Sequence, residues 1–563
     1  MAITIAVMET PCTQAKLAAT FNGGGFRAHA VHTGVIAGLL GHDDEDEDAS
    51  PSPDQSSKLQ ELFADVDQLG SNSGGSWFLA QLAYSNNFVD LVYNISETTS
   101  VADGAALFDD KWIKPFLSFM AKAQAAHNSR RLLVDESLGN WIKTLLELLG
   151  KLMGMSDDIM DWLDVIMFTL QNDFSWMSFV EQILELPGDL DASESLAAAK
   201  HNSWCAGKGL AIAAAAGATT EMDNFMGFAQ NTVDGSIRSL AYVSSVKSPN
   251  APVQPHIPTT FGVRLGKKGG KKSELPFTVT DASFAAEYRL LDKPTTFSTG
   301  KVLKTVAAAH TESRMEDLAS QKASIRGAVA SSSAFLGSVS QLGVFGLIVQ
   351  QLNTELWDRL LNLATYFSLS KTSYERANEI RANSGKVTGD KWVNQASKAG
   401  MLTLADGGLV DNTAVAQLVT AGVHDVVVFV STESTDSWGG LGTLFQGAKP
   451  ADIFTYAPIF EAKADDALAN LTSAMSSLEL DSGLEFVQGI RFGTLEATTA
   501  AQPLYGLQAG ERVRLHVVQT AASIGLASSN WHNFATVVGE INAQFHRPAN
   551  AAKVASLKSL LTQ

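Results

Sequence analysis

The sequence predicts an α/β fold in which buried strands end in turns of small residues and lead directly into helices. Two strand–turn–helix passages lie near the start of the chain, at 16–39 and 66–84, and a third pattern at 402–430 ends in a second strand. Short apolar runs bounded by glycine are typical of buried strands, and apolar residues at helical spacing follow each turn. A strand, a helix and a further strand form the βαβ unit that is typical of a sheet with parallel strands.

The composition excludes several classes of protein. The chain has 563 residues, of which 45% are hydrophobic and 18% charged, so it is long enough to bury a large core. Its formal net charge of -18 argues against a nucleic-acid partner and against simple electrostatic binding to anionic lipid. The two cysteines, Cys12 and Cys205, form neither a disulfide framework nor a zinc-binding pattern. We therefore expect no metal, and no motif indicates a cofactor.

Segments that would direct the chain to or through a membrane are also not predicted. No apolar run reaches the roughly 18 residues that a membrane-spanning helix needs. The first nine residues lack basic side chains and include Glu9, which is unlike a secretory signal. Together with the low cysteine content, this favours the reducing cytoplasm, with peripheral contact at membranes as an alternative. The oligomeric state is left open by the sequence.

The first passage places three consecutive glycines at the start of a helix. A short buried strand is predicted at 16–21, and helical spacing resumes from His29 to Leu39. Between them, Gly23–Gly25 leave bare N–H groups at the positive end of the helix dipole, which favours an anion. The turn is either a phosphate-binding loop or an oxyanion hole, and neither the P-loop pattern nor the dinucleotide pattern is present. Arg27 follows the turn directly.

The second passage, which follows an acidic loop at 41–57, has the pattern of a nucleophile elbow. Val66–Leu69 are predicted to end a buried strand, and a helix is predicted to start at Trp77–Tyr84. All residues between them are small, which allows the sharp strand-to-helix turn that exposes a nucleophilic serine. Ser73 is the best candidate because Gly74 and Gly75 follow it and allow close approach of the helix and a substrate. The alternative is a Gly/Ser loop without chemistry.

Residues 105–200 are predicted to form a helical insertion. Trp141 and Leu145 share one helical face, as do Trp162 and Ile166, and tryptophan and methionine are frequent throughout. Such a stretch packs as an ordinary hydrophobic core or, alternatively, serves as a cap or lid whose apolar surface meets lipid.

The middle of the chain changes to a β pattern. Strands are predicted at 259–265 and 275–279, joined by a turn with four lysines between Lys267 and Lys272. These lysines form a solvated hairpin tip or, alternatively, a contact for anionic head groups. A run of small residues at 328–337 suits close packing beneath a site, and 345–367 has the pattern of an amphipathic helix.

The third passage carries a carboxylate at the tip of a strand. A strand is predicted to end at 402–405, with Asp406 at its tip and Gly407–Gly408 turning the chain. Asn412 is predicted to cap the helix that follows, and a buried strand is predicted at 425–430. Nearer the end of the chain, the sequence also predicts a strand at 512–518 and a helix at 532–545.

A serine at an elbow needs a base and an oxyanion hole. Asp406 can act as this base directly if it is buried beside Ser73, because desolvation raises the pKa of a carboxylate. The glycine turn would then supply the oxyanion donors. One of the eleven histidines is the alternative base, in a Ser-His-Asp hydrolase of another fold.

Three motifs in one order resemble a known family. Gly-Gly-Gly-Phe-Arg-Ala, then Ser-Gly-Gly-Ser-Trp, then Asp-Gly-Gly with its aspartate six residues before an asparagine, are similar to the catalytic domain of cytosolic phospholipase A2 and, more distantly, patatin. The resemblance implies a serine–aspartate dyad of Ser73 and Asp406 without histidine. It also implies oxyanion donors at Gly24 and Gly25, and Arg27 as the side chain that assists phospholipid binding.

The resemblance extends over 16–85 and 325–432 and implies a three-layer α/β/α patatin-like (cytosolic phospholipase A2-like) domain over 13–563. The helical insertion at 105–200 would be its cap or lid. The implied function is that of a serine lipid acyl hydrolase, with transacylase as the nearest variant and a phospholipid or lysophospholipid as substrate. The alternatives are a catalytically weak lipid-binding or scaffold protein with the same fold and a Ser-His-Asp esterase.

Two positions depart from the family pattern. Ser71 stands two residues before Ser73, where the family has glycine. Ala414 stands where the family usually has proline after the asparagine. The first departure concerns the geometry of the elbow.

Overall fold

The structure is a computed structural model of the chain. The residues that it describes are 17–41, 55–128, 165, 168, 176–194, 202–205, 208–217, 237–245, 254–255, 259–265, 273–283, 287–291, 325–334, 365–368, 401–409, 411–420, 422–448, 458–501, 507–527 and 530–562.

The described residues form a mixed α/β architecture around one large sheet, with a second sheet of two short strands. The strands are, in chain order, Leu17–Phe21 (β1), Gln68–Asn72 (β2), Gly209–Gly217 (β3), Ile237–Ser245 (β4), Gln254–Pro255 (β5), Thr259–Leu265 (β6), Ser273–Ser283 (β7), Glu287–Leu291 (β8), Thr365–Ser368 (β9), Met401–Asp406 (β10), Asp425–Thr432 (β11), Phe445–Gln446 (β12), Phe460–Lys463 (β13), Ser476–Ser477 (β14), Val487–Thr498 (β15) and Arg512–Ala522 (β16).

Helices separate and follow these strands in the described part of the chain. They are Gly25–Leu40 (α1), Gln55–Leu62 (α2), Gly74–Tyr84 (α3), Asn86–Ser96 (α4), Val101–Phe108 (α5), Lys114–Asn128 (α6), Trp176–Leu184 (α7), Ile325–Ser332 (α8), Val415–Thr420 (α9), Ala464–Ala474 (α10), His532–Phe545 (α11) and Ala551–Lys558 (α12). A π-helical turn, Asp109–Ile113, joins α5 to α6.

The centre of the large sheet is parallel and its two flanks are antiparallel. The neighbours β16, β11, β1, β2 and β3 all pair in parallel, in that order. Beyond β16 the strands β15 and β14 are antiparallel, and beyond β3 so are β4, β6, β7 and β8. The sequence-based prediction of an α/β fold is therefore confirmed at the level of class, and the central strands are parallel as expected.

Hydrophobic cores lie against both faces of the central strands. Because side chains alternate across a strand, Leu17, Ala19 and Phe21 of β1 face one core while Ala18 faces the other. Helices α1, α3 and α11 contribute to the first core, and α9 and α10 contribute to the second. Helices on both faces are compatible with a three-layer α/β/α arrangement.

Helix α1, which follows the glycine turn, is enclosed on all sides. All 16 of its residues are buried, which agrees with a sequence that has no continuous polar face. It packs closely against α11: a Cβ atom added to Gly38 would lie 2.5 Å from the ring of Phe545. The first turn of α1 is therefore held in one position relative to the sheet.

Two strands meet end to end along β3, and this places the candidate site. Strand β2 pairs with the first half of β3 and ends with Asn72 opposite Ala213. Strand β10 pairs antiparallel with the second half and ends with Asp406 opposite Ala214. Since β4 occupies the other edge of β3 throughout, β2 and β10 share one edge and run towards each other. Asp406 and the residue after Asn72 are thereby brought together.

Three predictions about single elements are wrong. Strand β2 continues to Asn72 instead of ending at Leu69, so Gly70 and Ser71 belong to the strand. The pattern at 402–430 is not a parallel βαβ unit, because β10 runs antiparallel to β3 and thus opposite to β11. The helix predicted at 345–367 overlaps strand β9 at Thr365–Ser368, which pairs with β10. Apolar spacing did not reveal that this segment has a strand partner.

Other predictions agree with the structure or fall outside the described residues. Strands occur at 259–265 and 512–522, and α11 has the predicted bounds of 532–545. The described parts of the insertion at 105–200 are mainly helical, whereas its segments 129–164, 166–167, 169–175 and 195–200 lie outside the described residues. The lysine turn, most of 41–57 and the segments 335–337 and 345–364 also lie outside them. Among the described helices, none is both long and apolar enough to cross a bilayer.

Candidate active site

Ser73 occupies a strained turn between β2 and α3. Its backbone has φ 49° and ψ -124°, a positive-φ conformation that a residue with a side chain rarely adopts. The two glycines after it are required by space, because a Cβ atom at Gly74 would lie 2.0 Å from the carbonyl oxygen of Gly25. A Cβ atom at Gly75 would lie 2.3 Å from the carbonyl oxygen of Phe21. The local geometry is that of a nucleophile elbow.

The Ser73 hydroxyl donates a hydrogen bond to Asp406. The distance from Oγ to Oδ2 is 2.7 Å, and the two residues are 8% and 6% exposed. The other carboxylate oxygen of Asp406, Oδ1, accepts from the backbone N–H of Gly408 at 2.8 Å. The carboxylate is therefore fixed by the turn that follows its own strand, with one oxygen directed at the serine.

Burial raises the pKa of Asp406 to about 6, and the hydrogen bonds from Ser73 and from the Gly408 N–H oppose this rise. A carboxylate with a pKa near 6 is ionised at neutral pH and is a stronger base than an exposed aspartate. A general base works best when its pKa lies near the pH at which the reaction takes place, and a pKa of about 6 meets this condition near neutral pH.

Histidine does not contact this pair within the described part of the chain. His29 and His32, both on α1, bond to Gln81 and to the carbonyl oxygen of Asn22. Burial lowers their pKa values to about 4 and about 3, so both are neutral near pH 7. The side chains of five further histidines lie outside the described residues: His42, His127, His201, His256 and His310.

A chain of hydroxyl groups supports the elbow from α8. The backbone N–H of Ser73 donates to Ser332 Oγ at 2.9 Å, and Ser332 Oγ donates to Asn72 Oδ1 at 3.2 Å. Ser76 Oγ lies 2.9 Å from Ser332 Oγ and donates to Ser71 Oγ at 3.0 Å. The strained backbone of Ser73 is thus held by a residue 259 positions further along the chain. The sequence indicated only that 328–337 could pack closely beneath a site.

The hydroxyl of Ser71 has a place in this chain of hydroxyls. Ser71 is fully buried, and besides accepting from Ser76 its hydroxyl donates to the Ala211 carbonyl oxygen on β3 at 3.4 Å. A serine is therefore accommodated at the position where the resembled family has glycine, and its polar group is satisfied.

The glycine turn lies directly against the elbow. Strands β1 and β2 are parallel neighbours with Phe21 opposite Ser71, so the segments that follow them emerge side by side. A Cβ atom at Gly23 would lie 2.7 Å from Ser73 Cβ. Gly25 has φ 57° and Gly24 has φ 145°, conformations that favour glycine. Within the described residues, the N–H groups of Gly24 and Gly25 bond to no acceptor, as an oxyanion hole requires.

Arg27 lies in the first turns of α1, beside the glycine turn. It is 8% exposed, and its Nη1 donates to the Ile524 carbonyl oxygen at 3.2 Å. A Cβ atom at Gly24 would lie 3.8 Å from Arg27 Nη2, so the guanidinium borders the turn. The neighbouring N–H of Phe26 donates to the Leu526 carbonyl oxygen at 2.8 Å. The segment after β16 therefore occupies part of the helix N-terminus, and phosphate binding by Arg27 stays a prediction.

Asp411, and not Asn412, caps helix α9. Its Oδ2 accepts from the Ala416 N–H at 2.8 Å and its Oδ1 accepts from the Thr413 N–H at 2.8 Å. The prediction that Asn412 is the cap is therefore wrong, because the Asn412 side chain bonds to the loops around the site instead. Ala414 has φ 59°, which proline cannot adopt, and this explains its departure from the family pattern.

The described residues contain no group of three or more His, Cys, Asp or Glu side chains that could hold a metal ion. No protein-family model, no curated protein and no solved structure matches the chain. The function is therefore inferred from the geometry of Ser73, Asp406 and the glycine turn.

Proposed function

We propose that this protein is a serine acyl hydrolase that cleaves fatty-acyl esters of glycerophospholipids, in the manner of a phospholipase A2 or lysophospholipase. The observation that carries the proposal is the 2.7 Å hydrogen bond from Ser73 Oγ to Asp406 Oδ2 at a turn with positive φ. A serine hydroxyl that donates a hydrogen bond to a buried carboxylate of raised pKa is activated as a nucleophile, because this carboxylate can accept its proton.

The proposed reaction has two steps. Asp406 accepts the proton of Ser73 Oγ as this oxygen attacks the acyl carbonyl carbon, and the N–H groups of Gly24 and Gly25 stabilise the oxyanion that forms. Asp406 then gives the proton to the departing alcohol, leaving the acyl group on Ser73. Water attacks this acyl-enzyme while Asp406 accepts a proton from it, and Asp406 then returns that proton to Ser73 Oγ as the fatty acid is released.

The substrate class rests on the resemblance together with the position of Arg27. Its guanidinium, which borders the glycine turn, is a candidate partner for the phosphate of a phospholipid or lysophospholipid. The proposal includes a three-layer patatin-like architecture, with the insertion at 105–200 as a cap over the site. It also includes action in the cytoplasm on lipid presented at a membrane or micelle surface.

A covalent probe tests the proposal. A fluorophosphonate should label the wild-type chain on Ser73. It should label the Asp406→Asn variant poorly, because the base is missing, and the Ser73→Ala variant not at all, because the nucleophile is missing. Ser73→Ala and Asp406→Asn should each abolish hydrolysis of a phospholipid and of a nitrophenyl acyl ester, because the first lacks the nucleophile and the second lacks the base. Labelling is measured by mass spectrometry and hydrolysis by release of fatty acid or nitrophenol.

Ser71→Ala is the matched control, since it removes a hydroxyl from the same elbow but not the one bonded to Asp406. It should retain much of the activity. Absence of labelling in the folded wild-type chain would favour a lipid-binding or scaffold protein. A single histidine variant as inactive as Asp406→Asn would favour a Ser-His-Asp esterase.

A further inference from the structure

The side chain of Asn412 joins the three motifs of the candidate site. Its Nδ2 donates to the carbonyl oxygen of Gly23 at 3.3 Å and to that of Gly439 at 2.9 Å. Its Oδ1 accepts from Asn72 Nδ2 at 3.3 Å, next to the nucleophile Ser73. Its own position follows the Asp-Gly-Gly motif by a few residues. The amide is thereby oriented, with its oxygen towards the elbow and its nitrogen towards the glycine turn.

Glycines surround this amide closely. A Cβ atom at Gly23 would lie 2.3 Å from Asn412 Oδ1, and one at Gly408 would lie 2.9 Å from the same oxygen. A Cβ atom at Gly440 would lie 2.6 Å from Asn412 Cβ. The side chain therefore has little room to change its rotamer, and its hydrogen bonds are held in place by packing.

Both polar groups of Gly23 are bound by Asn412. The backbone N–H of Gly23 donates to the backbone carbonyl oxygen of Asn412 at 2.9 Å, and the carbonyl oxygen of Gly23 accepts from the Asn412 side chain. In a trans peptide the C=O and the N–H point in opposite directions. Fixing the Gly23 carbonyl therefore fixes the direction of the Gly24 N–H, the donor proposed for the oxyanion. A hydrogen bond accepted by that carbonyl also polarises the peptide and strengthens its N–H as a donor.

We infer that Asn412 is a positioning residue of the oxyanion hole, acting through the Gly23–Gly24 peptide. This inference rests on the proposed hydrolase function. Asn412 contributes to stabilising the transition state, because the negative charge that the Gly24 N–H stabilises develops only as the tetrahedral intermediate forms. Its loss should therefore lower kcat and leave KM nearly unchanged, whereas a role in substrate binding would change KM.

Steady-state kinetics of Asn412→Leu and Asn412→Asp on a nitrophenyl acyl ester test this inference. Leucine removes the amide, and aspartate keeps the shape but cannot donate to the Gly23 carbonyl. We expect kcat to fall about 10- to 100-fold, somewhat less than the 100- to 1,000-fold loss typical of deleting a direct oxyanion donor, with KM within about threefold. Inhibition by a long-chain trifluoromethyl ketone, which forms an oxyanion on serine, should weaken by a similar factor.

A remote control separates positioning from general stability. Asn542 is a fully buried amide on α11 that donates to the carbonyl oxygens of Ile95 and Thr98. Asn542→Leu should lower the melting temperature without lowering kcat of the folded enzyme. Asn412→Asp is compared at the alkaline plateau of the pH profile, because a second carboxylate near Asp406 raises the pKa of the base.

Each other outcome rejects the inference. A kcat within threefold of wild type in both Asn412 variants, a loss confined to KM, or an equal loss of kcat in Asn542→Leu would overturn it. Failure of both Asn412 variants to fold would make Asn412 a structural residue. The proposed hydrolase function fails separately, when the wild-type chain itself is neither labelled by fluorophosphonate nor active on esters.

Discussion

Asp406 illustrates, at the scale of single residues, how burial of a carboxylate that we propose as the catalytic base lowers stability. Its pKa is about 6 in the folded chain and about 3.8 in the unfolded chain. Because the folded pKa is raised, the stabilising contribution of the protonated group is present below pH 3.8 and is lost as pH rises through about 6. At pH 8 the buried charge lowers the free energy of unfolding by about 3 kcal/mol, at 1.36 kcal/mol per pKa unit.

Asp406→Asn should therefore be inactive and also more stable than the wild type by up to about 3 kcal/mol at pH 8. The Asn side chain can accept from the Gly408 N–H and donate to Ser73 Oγ, so both contacts survive. Urea unfolding at pH 8 and pH 4 measures the difference, which should nearly vanish at pH 4. In the wild type, kcat/KM should fall as pH drops below about 6. Equal stability at pH 8 would contradict the raised pKa.

Arg27 gives a second prediction at this scale, on substrate selectivity. If its guanidinium holds the phosphate, Arg27→Ala should reduce kcat/KM on a phospholipid by about 10- to 100-fold, since a charged hydrogen bond contributes roughly 1.5 to 3 kcal/mol. Hydrolysis of a neutral nitrophenyl ester should change little. Both substrates are assayed alongside a melting curve. Equal losses with a lower melting temperature would mean that Arg27 has a structural role, to which its bond to the Ile524 carbonyl oxygen contributes.

The sequence indicated the residues of the site that have a local signature and did not indicate those that act from a distance. Ser73 stands out because two glycines follow it in the sequence. Asp406 stands out because it lies at the end of a predicted strand and is also followed by two glycines. Ser332 and Asn412 have no such signature. Each contacts the elbow or the glycine turn from hundreds of positions away, so its partner depends on how the chain is folded.

Helix α1, at the scale of the secondary-structure elements, makes the fold sensitive to acid. It buries His29 and His32, whose pKa values burial lowers to about 4 and about 3. The pKa values of both histidines are lower in the folded chain than in the unfolded chain, so lowering the pH favours the unfolded chain, which binds protons more readily. Their full contribution to the free energy of unfolding is therefore present above pH 6.5 and is lost as the pH falls towards 3. When the pH falls from 7.5 to 5, each histidine should lower the free energy of unfolding by about 2 kcal/mol.

His32→Gln should make the free energy of unfolding depend less steeply on pH. Glutamine can still donate to the carbonyl oxygen of Asn22 but does not take up a proton, so about 2 kcal/mol of the loss between pH 7.5 and pH 5 should disappear. At pH 7.5 the variant should be less stable, because the ring contact with Phe21 at 5.4 Å is lost. Urea unfolding at both pH values measures this.

Val35→Ala is the control on the same helix, since it removes buried apolar volume without a titrating group. It should lower stability equally at both pH values. A His32→Gln variant with the same pH dependence as the wild type would show that His32 does not stay neutral in the folded chain.

Elements with a clear local pattern were predictable, and their partners were not. The short apolar run of β1 and the uniformly apolar face of α11 identify both elements. The end-to-end meeting of β2 and β10 along β3 is different, because neither strand differs locally from one in a βαβ unit. For the same reason the apolar spacing predicts a helix where β9 lies, because this spacing does not encode the pairing of β9 with β10.

The whole molecule is acidic, and this governs how it meets a lipid surface. A formal net charge of -18 repels anionic lipid over the Debye length, which is about 30 Å at 10 mM salt and about 3 Å at 1 M. The four lysines between Lys267 and Lys272 oppose this repulsion locally if they contact head groups. Which effect dominates determines the membranes that a protein of this charge can bind.

We expect the net charge to dominate, so that the protein binds phosphatidylcholine vesicles more tightly than phosphatidylglycerol vesicles at 10 mM salt. At 1 M salt the difference should disappear, because screening removes the long-range repulsion and leaves the apolar contacts. Flotation of vesicles with bound protein measures both affinities. A variant with serine at all four lysines serves as the comparison and should bind phosphatidylglycerol slightly less well than the wild type. Tighter binding of the wild type to phosphatidylglycerol at 10 mM salt, lost in this variant, would instead assign the lysine turn as the contact for anionic head groups.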